Sequence, residues 1–100
     1  MNNNLCPKFE KAATLISQRW VGVILYTLME GPTRFNTLQN MTSISSKMLS
    51  LRLKHLEEEE IITRRVYPET PVRIEYVLTN KGKALKPVVD TIQLWADKWV

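Results

Sequence analysis

One cysteine, one histidine and three glycines are all that the 100 residues hold of those types, and each scarcity closes off a class of protein. A single thiol cannot make an intrachain disulfide, so a small fold stapled by bridges is excluded. Three scattered glycines form no phosphate-cradling loop. The lone His55 precedes four glutamates, Glu57 to Glu60, but adjacent carboxylates on a helix fan around its axis instead of converging. Neither a metal nor a cofactor is therefore expected. No apolar run reaches the roughly 18 residues of a membrane span. The start, "MNNNLCPKFEK", lacks a basic stretch feeding an apolar one. The expectation is a chain kept in a reducing cytoplasm, with no membrane partner.

Acidic side chains are missing from one long stretch. None occurs between Gly31 and Leu56, while Arg34, Lys47, Arg52 and Lys54 lie inside it. The whole chain carries 14 basic and 10 acidic residues, a formal charge of +4. That excess is modest, but its segregation points to one positive face, which attracts a polyanion. A solvated helix face with chance clustering is the plain alternative.

Periodicity supplies the elements, read as one domain over residues 1–100. Pro7 suits the first turn of a helix, because its missing N–H costs nothing there. Phe9, Ala12, Ala13 and Ile16 recur at helical spacing, which predicts a helix over 7–17. A second helix, about 19–30, is apolar on more than one face and should lie deep, with Gly31-Pro32 stopping it. Thr33 to Phe35 reads as extended and 35–41 as a short helix. Ser45 then caps a long helix to about Glu59, with Leu49, Leu53 and Leu56 inward. On that helix Ser46, Lys47, Ser50, Leu51 and Lys54 point outward. Beyond it the period becomes two. Ile62 to Tyr67 pairs with Val72 to Leu78 across a Pro68–Pro71 tip. Thr79 caps a last helix, about 80–99, which Gly82 and Pro87 loosen or kink. Two helices joined by a tight turn, followed by a hairpin, make an α+β winged helix-turn-helix, with further helices flanking it at both ends.

These same segments resemble a known family. "CPKFEKAATLISQRW", "LMEGPTRFNTLQNM", "ISSKMLSLRLKHLEEEEII" and "VRIEYVLTNKGKAL" are similar to the HxlR-type regulators, a branch near the MarR family, over nearly the whole chain. The resemblance implies a dimeric winged-helix repressor whose first and last helices pack across the dimer. It also implies, for one subgroup, sensing of quinones, aldehydes or oxidants through a cysteine just before the first helix, matching Cys6. Some of that subgroup carry a second cysteine. This chain does not, so a link between two different cysteine positions is excluded.

The expected DNA-facing residues follow from placement. Helix 45–59 would enter a major groove, where small Ser45, Ser46 and Ser50 allow close approach, Lys47 reaches a base edge or phosphate, and Lys54 meets phosphate. Arg34 belongs to the same acid-free stretch. In the wing, Arg65 or Arg73 would supply salt-sensitive contact, with Arg64 nearby. Arg52 falls on the inward side and is expected to have an intramolecular partner. Phe9, Ile16, Ile92, Trp95 and Trp99 exceed what so small an interior can cover, which points to a twofold dimer interface.

Cys6 would stand at an N-cap, where free backbone N–H groups and the helix dipole favour a thiolate, and Lys8 and Lys11 add positive potential. The function expected is a homodimeric repressor of an inverted-repeat operator in double-stranded DNA, released when an electrophile modifies Cys6. Non-covalent ligand control, and a winged helix that binds protein instead of DNA, remain alternatives. A thiol enzyme would need a base near Cys6, and none is in sight.

Overall fold

Residues 6–100 are described by a computed structural model, and two of its helices begin where side-chain oxygens meet orphan N–H groups. The chain runs α1 (Pro7–Ser17), α2 (Val21–Leu28), β1 (Thr33–Arg34), α3 (Phe35–Thr42), α4 (Ser46–Glu58), β2 (Ile62–Tyr67), β3 (Arg73–Leu78), α5 (Asn80–Lys83) and α6 (Lys86–Trp99). Ser45 Oγ accepts the Met48 N–H at 3.1 Å, and Thr79 Oγ1 accepts the Gly82 N–H at 3.1 Å. Each satisfies a donor that the first turn leaves free.

The sheet is antiparallel in the order β1-β3-β2. Ile62 faces Leu78, Arg64 faces Tyr76 and Tyr67 faces Arg73, while Thr33 and Arg34 of β1 face Tyr76 and Glu75. The core lies between α2, the inner faces of α3 and α4, and one face of the sheet. Ile24, Leu25, Leu38, Leu49, Leu53 and Leu56 are fully enclosed there. The expected inward stripe of α4 is thus the buried one, and α2 is the deepest helix.

Two expectations need correction. The second helix begins at Val21, not at 19, because Trp20 adopts a left-handed backbone (φ 78°) that ends the α1–α2 turn. The last helix, expected as one piece over 80–99, is two. Pro87 has no N–H to donate, and its ring collides with the carbonyl four residues back. The chain therefore leaves α5 through a tighter bond, Leu85 N–H to Gly82 O at 3.0 Å, and restarts with Pro87 in the first turn of α6. Smaller shifts are the end of α2 at Leu28 and the start of β3 at Arg73 instead of Val72.

Neither α1 nor α6 buries a residue. They project from the core, which explains a radius of gyration of 15.0 Å and extents of 57 × 28 × 24 Å, against about 13 Å for a compact chain of this length.

Gly82 is where the wing meets the C-terminal helices. The Ile61 carbonyl accepts from Thr79 N–H at 3.0 Å and from Thr79 Oγ1 at 3.1 Å, and a Cβ at Gly82 would run into that same oxygen. Gly82→Ala should therefore cost about 1–3 kcal/mol, the range for overpacking. At about 4–8 °C per kcal/mol for a domain of this size, thermal unfolding at a fixed protein concentration should show a clear drop in Tm.

Candidate functional site

α3 and α4 meet at a tight turn that is knitted by side chains. Ser43 takes the left-handed conformation at the C-cap of α3 (φ 56°). Gln39 Nε2 donates to Ser46 Oγ at 2.6 Å and to Ile44 O at 3.4 Å, and Thr42 Oγ1 accepts the Ile44 N–H at 3.3 Å. The first turn of α4 is thereby fixed relative to α3 before any ligand arrives. Its outer face is exposed at Ser46, Lys47, Ser50, Leu51 and Lys54. Ser45 and Ser46 already accept internal hydrogen bonds, so each offers a partner its hydroxyl proton. Lys47 and Lys54 keep their ammonium groups in solvent. Gln39 escaped the sequence reading because its contact crosses the helix break, where neither helical nor strand spacing applies.

The sheet's register brings together charges that sequence reading had only placed near one another. Alternation puts Arg34, Arg65, Tyr67, Arg73 and Glu75 on one face. Arg34 and Arg65 both stand opposite Glu75, from β1 and β2. The three arginines are not equivalent. Arg73 Nε is 3.1 Å from Glu69 Oε2, its Nη1 donates to Glu75 Oε2 at 3.4 Å, and its guanidinium lies over the Tyr67 ring at 4.1 Å. Arg73 is thus held within the hairpin, whereas Arg65 and Arg34 are exposed. On the other face Arg64 meets Tyr76. Burial pushes the Tyr76 phenol above its ordinary 10.0, the Glu57 carboxylate adds to this, and Arg64 opposes it by charge and hydrogen bond.

Arg52 has the intramolecular partner its inward position implied: its Nε donates to Arg19 O at 3.0 Å. Glu59 faces His55 at 3.7 Å, and Lys81 reaches the Glu59 main-chain oxygen at 2.6 Å.

Cys6 is the N-cap of α1, exposed, with Pro7 following at the start of the helix; its side chain makes no capping hydrogen bond, and its carbonyl accepts the Glu10 N–H at 3.2 Å. The thiol is left open to solvent at the positive end of a helix. The polar segment before it, residues 1–5, lies outside the described residues. On α1, Phe9 is exposed and Ile16 is half-buried against the core. On α6, Val88, Ile92, Trp95 and Trp99 form one stripe of helical spacing, with the two tryptophans 61% and 65% exposed. Lys86–Asp90 and Gln93–Asp97 hydrogen bonds occupy other flanks of that helix. No helix among the described residues is long and apolar enough to cross a membrane, so this stripe is not a span.

Comparison with known proteins places this geometry. Residues 15–100 match the HxlR-like helix-turn-helix family. The chain is 49% identical over 100 residues to the HTH-type transcriptional regulator YodB of Bacillus subtilis, covering 99% of this chain and 89% of that protein. The reduced form of YodB superposes with a TM-score of 0.86 at 49% identity, over 95% of this chain and 94% of that one. The quinone-bound form of YodB gives 0.84 at 44% identity, over 95% of this chain and all of that one (100%). Both are winged helix-turn-helix structures, as this one is. The family match begins after Cys6; the likeness to YodB takes in nearly the whole chain.

The unequal arginines predict unequal salt effects on duplex binding. Removing one phosphate-binding side chain should reduce the slope of log K against log salt by about one. Lys54→Ala and Arg65→Ala should each show that reduction, whereas Arg73→Ala should leave the slope unchanged. Fluorescence anisotropy titrations at several salt concentrations measure it.

Proposed function

The chain belongs to the HxlR-like helix-turn-helix family of transcriptional regulators, and from that premise we propose that it is a homodimeric, cytoplasmic repressor whose hold on an inverted-repeat operator is broken when an electrophile or oxidant modifies Cys6. The observation that carries this reading is the exposed thiol at the N-cap of α1, in a chain similar to a protein whose reduced and quinone-bound forms are both known.

Each subunit presents α4 to a major groove, with Ser45, Ser46, Lys47 and Ser50 at the base edges and Lys54 at the backbone. Arg34 and Arg65 add phosphate contacts, and Arg73 shapes the wing from within. Twofold symmetry then asks for half-sites about one helical turn, 10–11 bp, or a multiple apart. The dimer is supported by apolar surface that the monomer leaves bare. Phe9 on α1 and Ile92, Trp95 and Trp99 on α6 are exposed together, with Ile16 at the margin. Exposed aromatic and aliphatic side chains on both terminal helices support an interface.

The thiolate is the reacting species. It adds to a ring carbon of a quinone. An S–C bond forms, the C=C pair moves onto oxygen, and proton transfer restores the aromatic ring as a hydroquinone thioether. Against a small disulfide, a new S–S bond forms as the other sulfur leaves as thiolate. A Cys6–Cys6 bridge across the dimer needs Cα atoms within about 7 Å; helix starts held further apart than that across the twofold axis leave an adduct or a mixed disulfide, the product favoured in this proposal. A thiol enzyme would need a base beside Cys6, and the His55 ring is turned to Gln18 and Glu59.

Two measurements test this. After treatment with p-benzoquinone, the parent should lose operator affinity by about 5–150-fold, the usual range for coupled sites, while Cys6→Ser should bind normally and not respond. Equal loss in both proteins would show that Cys6 is not the sensor. Separately, a chain ending at Thr91 lacks Ile92, Trp95 and Trp99, and light scattering should find it monomeric or insoluble. A soluble dimer of that length that still binds DNA would refute the interface.

A further inference from the structure

We propose that Arg52 and His55 are positioning residues that tie the reading helix α4 to the sensor helix α1, so that a movement begun at Cys6 reaches the DNA face through the turn Gln18–Trp20. The inference rests on the reading of Cys6 as the sensor.

The geometry is that of an arm on a pivot. α1 buries no residue. A cleft of about 900 Å³ separates the flank of α1, from Pro7 to Leu15, from His55, Glu59 and Lys81. Cys6 is thus at the free end of a helix that stands off the core. The other end is held. Leu15 and Ile16 pack against the core, and the cleft closes at Gln18, where α4 takes hold. Arg52 Nε donates to Arg19 O at 3.0 Å, and His55 Nδ1 lies 3.3 Å from Gln18 Oε1. Glu59 Oε1, on the next turn of α4, lies 3.7 Å from His55 Nε2.

Arg52 and His55 are three apart on α4, so they share a face, and it is not the face of Lys47, Ser50 and Lys54. One helix thus carries the contacts to the pivot on one side and the duplex-facing residues on another. The pivot itself has few ways to yield. Trp20 holds a left-handed backbone (φ 78°), which costs a non-glycine residue of order 1–3 kcal/mol and persists only where its surroundings over-determine it. Here they do so through Val21 N–H to Gln18 O at 3.1 Å and the Arg19 guanidinium over the Trp20 ring at 4.8 Å. A turn held this way passes a rotation of α1 to its two partners on α4 instead of absorbing it.

The test is the coupling between modification and DNA binding, measured on the full chain. Operator affinity is read by anisotropy before and after p-benzoquinone, with complete adduct formation checked by intact mass. In the variant carrying Gln18→Ala and Arg52→Ala, the unmodified protein should keep its affinity to within about threefold, and the loss on modification should shrink from the parent's value to about twofold or less, below the 5–150-fold of coupled sites. Gln18→Ala alone removes only a side chain at the turn and should reduce the coupling part of the way. Arg52→Lys, which keeps a donor, should restore more of it than Arg52→Ala. A fully modified double variant that loses affinity as steeply as the parent overturns the inference. So does a variant whose affinity is lower in both states with the ratio unchanged, since that is a structural role only. A parent that does not respond to the quinone overturns the sensor reading as well; a responding parent with equally responding variants overturns the tie alone.

Discussion

A hundred residues enclose one small core, and the helices at the two ends of this chain find no room in it. Everything distinctive about the molecule follows from that shortage of interior. α2, α3, α4 and the sheet use up the enclosed volume, and α1 and α6 are left with Phe9, Ile92, Trp95 and Trp99 in solvent. Apolar surface of this extent is stabilised only by further burial, at roughly 25 cal/mol per Å². In the proposed dimer that burial also fixes the distance between two copies of α4. The spacing of the reading heads and the covering of the tryptophans become one problem with one solution.

The wing shows how local chemistry sorts residues that composition treats alike. Arg64, Arg65 and Arg73 are all arginines of one hairpin, and pairing register gives each a different task. Arg64 faces the buried Tyr76, Arg73 is caged by Glu69, Glu75 and the Tyr67 ring, and Arg65 is left for solvent. The cage is intramolecular because strand alternation puts residues 73 and 75 on the same side, beside Tyr67 of the adjacent strand. An arginine so engaged gives up little of its charge, but its guanidinium is no longer free to reach outward.

Much of this was legible in the sequence, and the parts that were not have a common cause. Ser45 and Thr79 cap helices through bonds that span three residues, so the caps could be read directly. The stripe of Leu49, Leu53 and Leu56, the outward set around Lys47 and the pairing of Ile62–Tyr67 with the following strand are periodicities within single elements. The misses lie between elements. Trp20 gives no hint of a left-handed backbone, since residues that favour it are glycine and asparagine. Pro87 did announce a disturbance, but a kink and a full break differ only in how the preceding carbonyls are satisfied. Gln39 with Ser46 joins two helices, Gln18 with His55 joins a turn to a helix, and no spacing rule connects either pair. Only the expectation for Arg52 crossed that gap, because its place on the inward side of α4 demanded some partner.

The lone cysteine gains its meaning from where the fold leaves it. A thiol buried among Leu25 and Leu53 would be inert whatever its neighbours. At the N-cap of a helix that buries nothing, Cys6 is open to attack. An added group there meets no core that would resist it or be disrupted by it. In the proposed mechanism its consequences travel along α1, either into the proposed dimer surface with α6 or back to the turn at Gln18. Both proposed routes would end at α4, one by changing how two copies are spaced and the other by changing how a single copy is held. In the proposed mechanism a sensor on a bare helix would control a reading helix without disturbing the core between them, so that a small protein could respond and remain folded.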